Sequence, residues 1–274
     1  MIHPSAHVDP TAEIGVDVQI GPGCVCLAGS RLGDRSRLIA NAVVGRNSRL
    51  GTDNVLHPGA VIGGDPQDLS YRGEETCLEV GHGNTFREGV TVSRGTVKGG
   101  GTTVLGDKNL LMACVHIGHD CHIGNGTILA NNVLFAGHTH VGDSAVVAGA
   151  AAFHHFVRVG RMAYVGGMSR VVHDVPPGLK VAGDPGRPRQ VNVVGLQRNG
   201  VSDEEIAHMR LLFRELFRSP EPLKLAAGAA TAPPGSFGDE LLVFVRQWVG
   251  SEKGRYLEDF RTDRPARKVS GEGG

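Results

Sequence analysis

Residues 105–141 read LGDKNL LMACVH IGHDCH IGNGTI LANNVL FAGHTH V, and each block of six opens on an apolar residue. The register continues through Val147, Phe153, Val159, Val165 and Val171, giving twelve consecutive positions from Leu105. In a chain with 40% hydrophobic residues such a run arises by chance about once in sixty thousand, so the period governs the architecture. A second run joins Val8, Ile14, Ile20, Cys26, Leu32, Leu38, Val44, Leu50, Leu56 and Ile62. Six matches neither the helical period of 3.6 nor the strand period of 2. It suits a short strand followed by a turn, each strand aiming a large side chain at a common axis. Two places before each large residue sits a smaller one, such as Ala12, Cys24, Ala60, Cys121, Thr139 or Ala163. Positions i and i−2 share a strand face, so both point inward. Glycine often follows the large residue (Gly21, Gly45, Gly106, Gly118, Gly124, Gly142, Gly160), and its tolerance of positive φ predicts that it makes the bends. Three strands and three corners close an 18-residue coil, and stacked coils form a parallel β-helix.

Composition narrows the function. The 274 residues suffice for one sizeable domain and a smaller one. Only 5% are aromatic, which suits a narrow prism filled with Val, Ile, Leu and Ala. The formal net charge of zero gives nucleic-acid binding no electrostatic support. No apolar run approaches the roughly 20 residues of a transmembrane span, and the repeat starts too early to leave room for a signal peptide. The five cysteines form no CxxC pair, and Cys24, Cys26 and Cys121 fall in the inward register. Reduced, buried thiols in a cytoplasmic protein are therefore expected.

The repeat breaks twice, over 63–79 and 93–104, and the second break shifts the register by one residue between Val92 and Leu105. Insertions in a stacked repeat must leave on one face, which marks both as candidate walls of a site. After Val171 the hexads stop at Pro176-Pro177. Ser202-Asp203-Glu204-Glu205 is a capping box opening an amphipathic helix with Ile206, Met209, Leu212, Phe213 and Leu216. Ala226 to Gly238 reads as a linker and Asp239 to Val249 as a second helix. The expected organisation is a β-helix over 1–190, a helical domain over 191–260 and a loose tail over 261–274.

Seven of the thirteen histidines lie between 116 and 155. Residues 18 apart stack at the strand spacing of roughly 4.8 Å, placing His140 over His122 and His138 over Asp120. His155 lies two coils beyond His119. Solvated turn residues, a zinc site and an acid–base site all remain open on this evidence. Zinc has the weaker support, because no two of these histidines show the five-residue spacing of the zinc hydratases built on such prisms. An imidazole titrating near neutrality can deprotonate a sugar hydroxyl, and a glycine N–H can face the resulting oxyanion.

Several motifs add to the repeat: Asn109 to Cys121 (including His116-Ile117-Gly118-His119-Asp120), Pro66-Gln67-Asp68-Leu69, Val92-Ser93-Arg94-Gly95-Thr96, Ala136-Gly137-His138, Phe153-His154 and Asp174-Val175-Pro176-Pro177. Together they resemble the hexapeptide-repeat acyltransferases, and among them the UDP-N-acetylglucosamine O-acyltransferases of lipid A biosynthesis. The resemblance implies a left-handed winding and a homotrimer with sites between prisms. It also implies acyl transfer from an acyl-carrier protein to the sugar 3-hydroxyl without metal or other cofactor. His119 would be the general base, Asp120 its orienting partner and Gly137 the oxyanion donor. Gln67, Asp68, His116, His138, His154 and His155 would contact the substrates. Gly167 would set acyl length, and Asn192 and Arg198 would grip the nucleotide. Arg158, Arg161 and Arg170 could dock the acidic carrier. The chain departs from the family pattern at Ser70 (usually Lys), His155 (usually Gln) and Val194 (usually Glu). These changes suit acylation of another UDP-sugar, such as the amino group of a diamino sugar. A zinc hydratase or a non-catalytic scaffold of the same prism are the other readings.

Overall fold

The structure, a computed structural model, describes residues 1–251. The tail over 261–274 and the end of the 191–260 unit lie outside the described residues. Strands of two to five residues line up into three sheets of nine, eight and ten strands. Within each sheet, neighbouring prism strands come from successive coils and pair in parallel, as His116 with Leu134 and Leu134 with Ala152 at a step of 18; the terminal strand Arg187–Val191 is the antiparallel exception. At the two breaks the step lengthens, with Val61 pairing Thr91 and Thr91 pairing His116. The excursions themselves are shorter than the sequence suggests. Strands Val61–Gly64 and Cys77–Val80 bracket the first, and Thr91–Ser93 and Thr102–Leu105 the second.

The inward register fills the prism. Ala60, Ile62, Leu105, Leu111, Ile117, Leu129 and Phe135 are almost wholly buried, as are Cys24, Cys26 and Cys121. Phe135 and Phe153 stack along the axis with ring centroids 4.4 Å apart. Each large side chain so buried contributes roughly 1.5–3 kcal/mol, which repetition along the axis multiplies. Polar groups in the smaller positions are used too. Asn84 donates through its backbone N–H and Nδ2 to Asn54 Oδ1, Asn109 N–H donates to Asn84 Oδ1, and Thr127 N–H to Asn109 Oδ1. This ladder crosses both breaks and ties the coils on either side in register.

Apart from Gly63 (φ 92°), the glycines after the large residues do not make the bends by positive φ, contrary to the expectation. The left-handed residue stands three places past the large one: Asp17, Asn47, Asp53, Asp120, Asn132 and His138, among others. Glycine at positions such as Gly21 and Gly45 is required by close approach. A Cβ there would stand 1.8 Å from the carbonyl oxygens of Ile39 and Gly63 in the next coil.

The last parallel strand, Leu179–Ala182, pairs with Tyr164–Val165 and then antiparallel with Arg187–Val191. Four helices follow: α1 (Val193–Arg198), α2 (Asp203–Phe217), α3 (Leu223–Ala229) and α4 (Phe237–Val249). Ser202 Oγ caps α2 by accepting Glu205 N–H, and Ser236 Oγ caps α4 by accepting Asp239 N–H. The expected linker over 226–238 is partly helix. Ala226 and Ala227 of α3 are buried in a second core with Met209, Leu242 and Val245, so small apolar residues are packing there. Arg161 joins this unit to the prism by pairing with Glu240, its guanidinium 4.4 Å from the Phe237 ring centroid. Among the described residues no helix is long and apolar enough to cross a membrane.

Candidate active site

His119 and Asp120 form the corner between strands His116–Ile117 and His122–Ile123, and both are buried. His119 Nδ1 lies 2.7 Å from Asp120 Oδ2. The carboxylate has two further donors, both from the second excursion: Thr96 N–H to Oδ1 and Thr96 Oγ1 to Oδ2, each 2.7 Å. Asp120 N–H in turn donates to Thr103 Oγ1 at 2.8 Å. An ionised carboxylate only accepts, so His119 carries its proton on Nδ1 and presents Nε2 as the basic nitrogen.

One coil above, Gly137 explains how the imidazole fits. A Cβ on Gly137 would stand 2.6 Å from His119 Cε1 and 2.8 Å from Nε2. In this corner Ala136 N–H bonds Phe153 O and His138 N–H bonds His119 O, which leaves the intervening Gly137 N–H outside the backbone ladder. His138 Nε2 lies 3.7 Å from Asp120 Oδ2, its ring edge-on to His119 at 5.2 Å and stacked on Phe156 at 4.4 Å. His122 and His140 stack nearly coplanar at 4.7 Å, as their 18-residue spacing requires.

An open cleft of about 280 Å³ runs beside this corner, lined by Gln67, His116, His119, Gly137, Phe153 and His155 together with their neighbours. His116 Nδ1 meets Thr91 Oγ1 at 2.8 Å, and burial, with the charge of His119, pulls its pKa below the usual histidine value. Asp68 lies beside the cleft on the first excursion. Ser70 N–H donates to its Oδ1, and this, with smaller contributions from Lys98 and His119, holds its carboxyl below the ordinary range. Both excursions are latched by buried Arg94, which donates to Gly63 O and Tyr71 Oη and pairs with Asp65.

The structure therefore gathers His119, Asp120, Gly137, His138, His116, Gln67 and His155. The remaining predicted residues do not line this cleft within one chain. His154 is exposed, its ring 5.4 Å from that of His155. Gly167 is exposed two coils on, and Arg198 is exposed at the end of α1. Asn192 is buried as the cap of α1, its Nδ2 donating to Met162 O and its Oδ1 accepting Gly195 N–H. The arginines expected to dock a carrier are paired within the chain: Arg158 with Asp174, Arg161 with Glu240 and Arg170 with Asp184. The sequence reading gave Thr96 no role beyond its place in the Val92-Ser93-Arg94-Gly95-Thr96 motif and missed Thr103, whose only signal is the register shift across the second break.

Two other chemistries can be weighed on this geometry. His119, Asp120 and His138 are the only group of three among the described residues whose ligand atoms lie close enough to share a metal ion. Here, however, His119 Nδ1 and Asp120 Oδ2 face each other as donor and acceptor, and Thr96 fills the rest of the carboxylate. Cys121 points into the prism, and burial pushes its thiol up to about 12, so it offers no thiolate nucleophile at neutral pH.

Comparison with known proteins identifies the family. The model of bacterial transferase hexapeptide repeats matches residues 102–137, and that of UDP-N-acetylglucosamine O-acyltransferase domain 2 matches 174–255. An acyl-[acyl-carrier-protein]–UDP-N-acetylglucosamine O-acyltransferase of Thermodesulfovibrio yellowstonii is 46% identical over 225 residues, covering 82% of this chain and 87% of the relative. The chain belongs to the UDP-N-acetylglucosamine O-acyltransferase family. A Paraburkholderia xenovorans family member is 42% identical, covering 89% of this chain and 95% of its own. The solved UDP-N-acetylglucosamine acyltransferase of Bacteroides fragilis superposes with a TM-score of 0.85 at 36% identity, covering 90% and 97% of the two chains. With the family comes the hand of the winding: the prism is a left-handed β-helix. Within this acyltransferase the hexapeptide match holds His116, His119, Asp120 and Gly137, and the domain 2 match holds Asn192, Arg198 and all four helices.

Proposed function

We propose that this chain transfers an acyl group from an acyl-carrier-protein thioester to the 3-hydroxyl of UDP-N-acetylglucosamine, the first step of lipid A biosynthesis. The curated relatives are named acyl-[acyl-carrier-protein]–UDP-N-acetylglucosamine O-acyltransferases. The observation that carries the mechanism is the His119 Nδ1–Asp120 Oδ2 bond, which leaves Nε2 as the base beside the cleft. His119 Nε2 takes the hydroxyl proton as the sugar oxygen attacks the thioester carbonyl. The C–O bond forms and the oxyanion develops against the Gly137 N–H. Collapse then breaks the C–S bond, and the departing thiolate recovers the proton from His119. A positioned base of this kind supplies ~10²–10⁴-fold.

Gln67 and Asp68 on the first excursion contact the sugar, and His116, His138 and His155 contact the remaining polar groups of the substrates. Assembly as a homotrimer, with each cleft closed by a neighbouring prism, gives the exposed His154, Gly167 and Arg198 a route to the substrates that one chain does not offer, while the buried Asn192 acts as the cap of α1. Light scattering at three times 28.8 kDa checks the assembly. The reaction runs on this chain's side chains with the carrier thioester as co-substrate and no cofactor, in the cytoplasm where that carrier is made. The decisive assay offers a 3-hydroxyacyl-carrier protein and UDP-N-acetylglucosamine to wild type and to His119→Ala. Loss of at least about 100-fold in kcat is expected. Retention of more than a few per cent refutes the base assignment, and acylation of an aminosugar nucleotide in preference refutes the acceptor.

A further inference from the structure

The two hydrogen bonds that Thr96 gives Asp120 lie outside the repeat, on the seven-residue lengthening of one coil. Thr96 is only 4% exposed. Its backbone N–H holds Oδ1 while its hydroxyl holds Oδ2, so the carboxylate is gripped across both oxygens by one residue. The direction of the hydroxyl bond is fixed as well. Thr96 Oγ1 accepts Gly99 N–H at 3.2 Å, which turns its own proton towards Asp120. Oδ2 is also the oxygen that receives His119 Nδ1–H. The excursion also packs its backbone against the carboxylate at Gly99, where a Cβ would stand 2.0 Å from Asp120 Cγ. Two residues before Thr96, Arg94 fastens the same excursion to the one that carries Gln67.

We infer that Thr96 is a positioning residue for the acyl transfer, its hydroxyl locking the Asp120 carboxylate in the plane that keeps the His119 proton on Nδ1 and the base on Nε2. It touches neither substrate and acts only through Asp120. This rests on the reading of His119 as general base. Without the hydroxyl, Oδ2 loses one of its two strong donors and the carboxylate can rotate about the bond still held by Thr96 N–H. Both the tautomer and the aim of the imidazole then relax. Ground-state binding is untouched, because Gln67 and Asp68 are held through Arg94 and the Asp68 turn.

The test compares Thr96→Val, Thr96→Ser and His119→Ala by steady-state kinetics with acyl-carrier protein and UDP-N-acetylglucosamine, alongside thermal melts. Thr96→Val is expected to lose about 10- to 100-fold in kcat with both KM values within about twofold, since residues that orient a reacting group through a hydrogen bond to its partner act on that scale. Thr96→Ser, which keeps the hydroxyl, is expected to stay within about threefold of wild type. If Thr96→Val does not fold, the serine variant still decides: a loss beyond tenfold in the folded serine protein overturns the proposal. So does a valine variant with more than half the wild-type kcat, or one whose defect lies in KM alone. An active His119→Ala sinks the base reading and this inference with it. An inactive His119→Ala beside a fully active Thr96→Val sinks this inference alone.

Discussion

Gly137→Ala tests the catalytic corner with a single methyl group. The added Cβ would lie 2.6 Å from His119 Cε1, 2.8 Å from Nε2 and 3.0 Å from Nδ1. Non-bonded carbons rest at about 3.5–4.0 Å, so ring and methyl must part by about 1 Å. The ring has little freedom to retreat. Its Nδ1 is held by Asp120, and the His138 ring stands edge-on at 5.2 Å. Overpacking of this sort costs about 1–3 kcal/mol, a loss of several degrees in Tm that leaves the protein folded. A displacement of about 1 Å in the base carries a much larger kinetic penalty, on the order of 10²-fold in kcat. The variant keeps its backbone N–H, so the experiment isolates the position of the base from the oxyanion donor. Acyl transfer is followed by mass spectrometry of the acylated sugar nucleotide, with Gly64→Ala as control, where the Cβ meets only Val61 Cγ1 at 3.7 Å. The control is expected to match wild type. A folded Gly137→Ala with kcat within threefold of wild type would refute the packing argument and with it the seating of the base.

Two further outcomes follow from groups around this corner. His116 has a folded-state pKa pulled below its unfolded value by burial and by His119, so below about pH 6.5 the unfolded chain binds a proton that the folded one rejects. Its contribution to stability is complete above that pH and is lost as the solution is acidified; Tm measured between about pH 7 and 5.5 should fall less steeply in His116→Gln, and an unchanged slope refutes it. Asn84→Ala removes the acceptor of the buried Asn109 N–H and should lower stability by about 1–3 kcal/mol, seen in urea as a lower midpoint at constant m. An unshifted midpoint would show that the ladder across the breaks does not hold the coils.

What could be read in the sequence is what the period carries. The inward set from Ile14 to Val171, the stack of His122 on His140 and the approach of His138 to Asp120 all follow from a step of 18. The excursions obey no period, and their contacts reach across long separations. Thr96 meets Asp120 24 residues on, and Arg94 meets Gly63 31 residues back. Nothing local marks such pairs. The Ala-rich stretch over 226–230 misled for a different reason, since a short helix with small residues reads as a linker until its neighbours supply the apolar surface. Arg158, Arg161 and Arg170 show the same limit in reverse: their carboxylate partners come from chain that the repeat does not reach.

Backbone strain does not single out the catalytic corner. Asp120 has φ 60° and His138 φ 62°, but so do corner residues far from any chemistry, such as Asp17 at 58° and Asp53 at 60°. Left-handed corners belong to the scaffold, and their cost is spread over every coil. The distinguishing feature lies one residue earlier. Two places past the large residue, on the corners that follow the second sheet, the backbone N–H is taken by a side chain from the coil above. Asp34 accepts Val16 N–H, His82 accepts Thr52 N–H, Asn125 accepts Asp107 N–H, and Asp143 accepts Asn125 N–H. On the corner that follows the first sheet, the same place above His119 is Gly137, which has no side chain to reach down. The volume such a side chain would fill is occupied by the His119 ring. The corner has room for the imidazole because the next coil carries no side chain there.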